Sequence, residues 1–133
     1  MSMIKRVITF GTFDVFHIGH INILERAKKQ GDYLVVGVSS DKLNFEKKQR
    51  YPVYPQNQRV RILESLRFVD EVFIEESLEL KAHYIQQFKA DVLVMGDDWA
   101  GKFNEMQEYC EVVYLPRTPS ISTSEIIEIV KAI

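Results

Sequence analysis

His17 and His20 stand three residues apart in the stretch FGTFDVFHIGHINILERAKK, residues 10–29, with Gly11, Asp14 and Gly19 beside them. At that spacing both rings fall on one side of the first turn of a helix. Their ring N–H groups can donate to phosphate oxygens, so charge building up on a polyphosphate is stabilised without a covalent step. A helix start adds free amides and the positive end of its dipole, which attract anions. Gly11 lets the chain turn, and Gly19 permits close approach of a ligand to the backbone. Metal ligation is the competing chemistry, but no third histidine or cysteine stands nearby, and His83 belongs to another segment. A dinucleotide fold would carry G-x-G-x-x-G at this point and a phosphate loop G-K-[ST]; GTFDVFHIGH supplies neither. A phosphate site is the favoured reading.

Such a site needs a scaffold. Short β-branched runs alternate with helical periods along the chain. KRVITF, YLVVGVS, DEVFIE, DVLVMG and CEVVYL read as five strands, the second apolar enough to be buried on both faces. Helices are expected over residues 18–29, 57–68, 78–88, briefly 104–108, and 122–132. Ser122 and Glu125 have the spacing of a capping box at the start of the last one. The alternation predicts an α/β fold with a mostly parallel five-stranded sheet between helical layers, and ligands bind beyond the C-terminal ends of such strands. Gly11 to His17 lies at that end. Residues 40–56, polar and carrying Pro52 and Pro55, read as a long functional or mobile loop.

The totals narrow the field. The chain of 133 residues has room for one core, so a single domain over 1–133 is expected. A net charge of −2 argues against a nucleic-acid binder that works by overall charge. Cys110 is the only cysteine, which excludes an internal disulfide and a cysteine metal cluster; it sits in an apolar run as a packed thiol. The N-terminus has too short an apolar run for a signal peptide, and no stretch reaches the roughly 18 apolar residues of a membrane span. A cytoplasmic location with no membrane partner is expected.

GTFDVFHIGH resembles the H-x-G-H signature of the nucleotidylyltransferase superfamily, a Rossmann-like group. MGDDWAGKF (95–103) and EVVYLPRTPSISTSEI (111–126), together with ILERAKKQGDYLVV and LESLRFVDEV, resemble the glycerol-3-phosphate cytidylyltransferase family. The resemblance covers nearly the whole chain and implies a Rossmann-like three-layer fold. It implies a reaction in which an alcohol phosphate attacks the α-phosphorus of CTP, giving a CDP-alcohol and pyrophosphate, with Mg2+ accompanying the triphosphate. It also implies a homodimer.

Roles follow from the same resemblance. Thr12 and Phe13 match the turn that approaches the nucleotide, and Asp14 the motif aspartate near metal and phosphates. His17 and His20 match the pair that donates to the triphosphate. Lys47, with Arg50 as the second basic residue of its segment, matches a lysine near the reacting phosphates. Arg59 and Arg67 match helix arginines that face the site, and Lys81 a lysine linked to the acceptor phosphate. Asp98 falls near the cytidine. Arg117, Thr118, Ile121, Ser122, Thr123 and Ser124 match the segment that wraps the nucleotide. The last three residues open a helix, so a second anion site would face the first. Two departures bear on substrate. Pro119 and Ser120 stand where the family has a glycine before I-S-T, and Leu78 stands where a tryptophan often lies near the acceptor. Three readings stay open: glycerol 3-phosphate as acceptor; another polyol phosphate, phosphocholine or phosphoethanolamine; or a nucleotide-binding module without turnover.

Overall fold

The structure is a computed structural model that describes residues 4–119 and 121–133. Five strands form one sheet: β1 Arg6–Gly11, β2 Tyr33–Ser39, β3 Glu71–Glu75, β4 Val92–Gly96 and β5 Glu111–Leu115. Their order is β3-β2-β1-β4-β5, and every pairing is parallel, not merely most of them. The order reverses direction at β1, the switch point where α/β sheets open a crevice.

Side chains alternate across the sheet with period two. Val7, Leu34, Val36, Val38, Val92 and Val94 pack on one face with Leu24 and Ala27 of α1 (Ile18–Lys28) and Leu63 of α3 (Gln56–Glu64). Ile8, Phe10, Val35, Leu93 and Met95 pack on the other with Tyr84 and Ile85 of α4 (Lys81–Gln87). Most of these side chains have no accessible surface. Each of the larger apolar side chains contributes about 1.5–3 kcal/mol by leaving water. Gly37 in β2 makes room on the second face: a Cβ there would lie 2.6 Å from Phe10 and 2.7 Å from Phe73, whose rings meet edge to face at 5.9 Å.

The expected strands and the three layers hold. Three expectations are corrected. Residues 40–56 are not one long loop, because α2 occupies Asp41–Lys48. Ser40 caps it through Oγ, which accepts from Leu43 N at 3.0 Å, and Gln49 ends it in the left-handed region at φ 58°. Only Leu43 and Asn44 of this helix are buried, so no apolar stripe marks it. Lys47 therefore rides on a helix. The third helix stops at Glu64, four residues before the expected end, as Ser65 N and Leu66 N turn back to Ile62 O and Leu63 O. The 78–88 segment divides into a 3-10 turn, Leu78–Leu80, and α4.

Candidate active site

A cavity of about 550 Å³ opens beyond the C-terminal ends of the strands, within the range of small-molecule sites. Its floor is the connection from β1 to α1. Phe13 and Val15 both hold left-handed backbone, φ 55° and 46°, which is strained for side-chain-bearing residues and most so for the β-branched Val15. They flank Asp14, which is 8% exposed. Its carboxylate accepts from Val53 N at 2.7 Å and Tyr54 N at 2.8 Å, and its carbonyl accepts from Thr123 Oγ1 at 2.7 Å. One residue thus ties the β1 connection to the segment before α3 and to the start of α5 (Thr123–Lys131).

The two histidines lock each other. The His17 ring caps α1, Nδ1 accepting from Gly19 N at 3.0 Å, while His17 N donates to His20 Nδ1 at 3.1 Å. The rings stack at 3.8 Å between centroids and 27° between planes. An imidazole nitrogen that accepts carries no proton, so in the neutral form both rings hold theirs on Nε2. Burial, reinforced by the adjacent His17, pushes His20 down to about 3. Burial and the Arg117 guanidinium also lower His17. The pair is neutral at neutral pH and offers two Nε2–H donors. Gly19 serves this arrangement: a Cβ there would sit 2.8 Å from the His17 ring and 3.3 Å from Ile121, so it is the ring, ahead of any ligand, that needs the room.

The structure brings most of the expected residues to this cavity. Thr12, Phe13, Asp14, His17 and His20 line it from the β1 side; Lys47 and Arg50 from α2 and the turn after it; Lys81 from α4. Asp98 enters after β4, Arg117, Thr118 and Ile121 after β5, and Ser122, Thr123 and Ser124 at the start of α5. Ser122 caps that helix, its Oγ accepting from Glu125 N at 3.1 Å. Thr118 Oγ1 accepts from Asn22 of α1 at 3.0 Å, joining α1 to the segment between β5 and α5. Leu78 lines the cavity as well, and Ser120 lies outside the described residues.

Arg59 and Arg67 do not reach it. Arg59 has no accessible surface. Its guanidinium donates to Tyr54 O, Thr12 O and Ser39 O at 2.9, 2.9 and 2.8 Å and to Asp41 at 2.7 Å, joining the ends of β1 and β2 to α2 beneath the site. It positions the walls and cannot also meet a ligand. Arg67 is exposed beyond the end of α3, so the shared helix face that would aim both arginines at the site does not exist.

A Cytidylyltransferase-like family model matches residues 8–129. The chain belongs to the cytidylyltransferase-like family. It is 53% identical over 93% of its length to the glycerol-3-phosphate cytidylyltransferase of Bacillus subtilis (strain 168), covering 95% of that protein. It is 47% identical to the Staphylococcus aureus (strain NCTC 8325 / PS 47) protein of the same name, with 92% of each chain covered. Among solved structures, a lipopolysaccharide core biosynthesis protein from Thermoplasma volcanium GSS1 superposes with a TM-score of 0.74 at 25% identity, over 87% of this chain and 99% of that one.

Members of the cytidylyltransferase-like family use a divalent metal with the nucleoside triphosphate. The donor set here does not form a metal cage of its own. Both Asp14 oxygens already accept amides, and the described residues hold no group of three His, Cys, Asp or Glu that would enclose an ion. That fits an ion carried by substrate phosphates.

The cytidylyltransferase-like site also contains groups that sequence reasoning did not reach. Glu75, the last residue of β3, is 1% exposed and accepts from Lys81 Nζ at 2.8 Å. Lys81 lies 3.8 Å from the centre of the Phe10 ring and 5.1 Å from that of Phe103. Burial lowers both Lys81 and Lys47, and the Glu75 carboxylate works against it in each case. Ser39 Oγ accepts from Lys47 Nζ at 2.9 Å, and Asn44 joins Thr12 Oγ1 to Arg50 O. An acid at a strand end, with a lysine six residues on, was the only available signal for the buried pair.

Proposed function

We propose that this protein transfers the cytidylyl group of CTP to glycerol 3-phosphate, giving CDP-glycerol and pyrophosphate. One observation carries the reading: two helix starts, α1 with its paired imidazoles and α5 with its hydroxyls, line a single cavity together with Arg117. The names and high identity of its relatives support the choice of substrates.

In this reading the triphosphate lies across the two helix starts. The Nε2–H groups of His17 and His20 donate to its oxygens, and Arg117 and Lys47 offset its charge. An oxygen of the acceptor phosphate attacks the α-phosphorus; that O–P bond forms as the bond to the β-phosphate oxygen breaks, and pyrophosphate leaves. The acceptor is already an anion, so no base is required. Catalysis is positioning and charge stabilisation by donors fixed before substrate arrives. Mg2+ enters with CTP as part of the substrate, and Asp14 holds the wall of the site. The expected homodimer and cytoplasmic location belong to the same proposal; light scattering of the purified protein tests the first. No helix among the described residues is long and apolar enough to cross a membrane.

Leu78 on the cavity wall favours a second reading within the same chemistry, in which another alcohol phosphate replaces glycerol 3-phosphate. Pyrophosphate release with CTP, Mg2+ and a panel of alcohol phosphates decides between them. Highest kcat/KM with glycerol 3-phosphate supports the first reading. CTP binding without turnover of any acceptor would leave a nucleotide-binding module.

A further inference from the structure

Asn44 carries the one side-chain amide buried among the described residues, 2% exposed and lining the cavity from α2. Asparagine is a poor choice inside a helix, because its amide competes with main-chain hydrogen bonds. What it joins explains its place. Nδ2 donates to Arg50 O at 3.3 Å, and Oδ1 accepts from Thr12 Oγ1 at 2.9 Å. The polarity of this strut is forced. Arg50 O can only accept, so the amide nitrogen must face it, and the amide oxygen is left for Thr12. The single hydroxyl hydrogen of Thr12 is thereby spent on Asn44. Thr12 turns only lone pairs to the cavity and cannot donate to a phosphate oxygen.

The strut crosses the end of α2. That helix stops at Gln49 in the left-handed region, and residues 50–54 after it form neither helix nor strand. Two clips hold this stretch: Asn44 at Arg50 O, and the Asp14 carboxylate at Val53 N and Tyr54 N. Both clips end on the connection from β1 to α1, one through Thr12 and the other through Asp14. Arg50 lines the cavity and makes no ion pair among the described residues. With no acidic partner to fix its guanidinium, its aim follows from its main chain.

We propose that Asn44 is a positioning residue that acts through Arg50: it fixes the turn after α2 so that this guanidinium meets the triphosphate. The identity of the ligand rests on the function proposed above. Lys47, one turn after Asn44 on the same helix, is held separately by Ser39 Oγ at 2.9 Å. The two cations are thus aimed by different polar residues.

The test is a double-mutant cycle on the binding of CTP with Mg2+, followed by calorimetry. Asn44→Ala is expected to weaken binding about tenfold, and Arg50→Met by at least as much. In the Arg50→Met background, Asn44→Ala should then cost less than about threefold, because the group it aims is gone. Circular dichroism confirms the fold of each variant. Additive losses overturn the assignment, since a direct contact of Asn44 with CTP, or a general loosening of the site, acts whether or not Arg50 is present. Undiminished binding by Asn44→Ala overturns it too. Thr12→Val leaves α2 unaltered and carries the same test if Asn44→Ala does not fold. Its loss should also shrink in the Arg50→Met background, and an additive loss overturns the proposal. Wild-type enzyme that binds CTP but turns over no acceptor strikes the proposed function, while the binding cycle still decides this inference. Wild-type protein that does not bind CTP overturns both.

Discussion

The starts of α1 and α5 meet at the same cavity, but they present different donors to it. At α5 a serine hydroxyl caps Glu125 N, and the amides of Thr123 and Ser124 precede the first intrahelical bond, Ile126 N to Ser122 O. At α1 the Gly19 amide is taken by the His17 ring and the His20 amide by the His17 carbonyl at 3.0 Å. Two of the first three amides there, those of Gly19 and His20, are thus engaged, and imidazole Nε2–H groups stand in for them. A helix start is thus not by itself an amide anion site; the capping group decides what it offers. The α1 arrangement is also stiffer. Phe16 stacks on His20 at 5.2 Å and Phe13 meets it edge-on at 5.5 Å, so the donor is aimed before a ligand arrives.

The widest break in this comparison comes from changing the rings while keeping the caps. Asparagine caps a helix well, and glutamine at the fourth position of a capping box still reaches back. His17→Asn and His20→Gln should therefore fold, yet each should lower kcat by about 10²–10³, the usual value of a fixed transition-state donor. Pyrophosphate release measures it. Near-normal rates in both would mean that α1, like α5, works through its amides. Next in size is Arg59→Met, which removes the donor to three carbonyls and to Asp41 at once. Asp41 keeps 31% of its side chain exposed, so the cost falls mainly on the carbonyls left without a donor, about 1–3 kcal/mol for each that stays buried. Urea unfolding is expected to show a loss of that order, and a loss below about 1 kcal/mol would show that the walls hold without the guanidinium.

Acid separates the two starts further. The folded-state value of His20 is about 3 against an ordinary 6.5. Between those values the unfolded chain binds a proton that the folded chain refuses, so this ring makes stability fall as pH drops from about 6.5 toward 3. Above that window its contribution is complete. Urea midpoints at pH 7 and pH 5 should differ more in wild type than in His20→Gln. The serine cap of α5 has no such dependence, and an equal acid loss in the variant would place the titrating group elsewhere.

The strands were legible because buried parallel strands are continuous apolar runs, and the helix starts because histidine, serine and glycine stand at fixed offsets. What stayed hidden was polar and non-local. The helix carrying Lys47 has only Leu43 and Asn44 buried, so it shows no stripe to read. Arg59 looks like any surface arginine of an amphipathic helix; its burial depends on three carbonyls and one carboxylate that converge only in the fold. The buried partner of Lys81 lies at the end of a different element. The amides that the Asp14 carboxylate accepts, Val53 N and Tyr54 N, come from a segment about 40 residues away that no motif spacing reveals.

The smallest expected effect tests whether the α5 start does more than end a helix neatly. Ser122→Ala removes the hydroxyl that accepts from Glu125 N, which should cost about 1 kcal/mol of stability if capping is its only task. The freed amide then joins those of Thr123 and Ser124 at the cavity wall. Capping alone leaves the KM for CTP unchanged once the protein is folded. A ligand contact through Ser122 Oγ raises that KM, and Ser122→Thr, which keeps a hydroxyl, should restore it. Measuring urea stability and CTP dependence on the same two variants separates the outcomes. A stability loss with no change in KM would assign the nucleotide contacts at this end to Thr123, Ser124 and Arg117, and would leave the paired imidazoles of α1 as the stronger of the two grips.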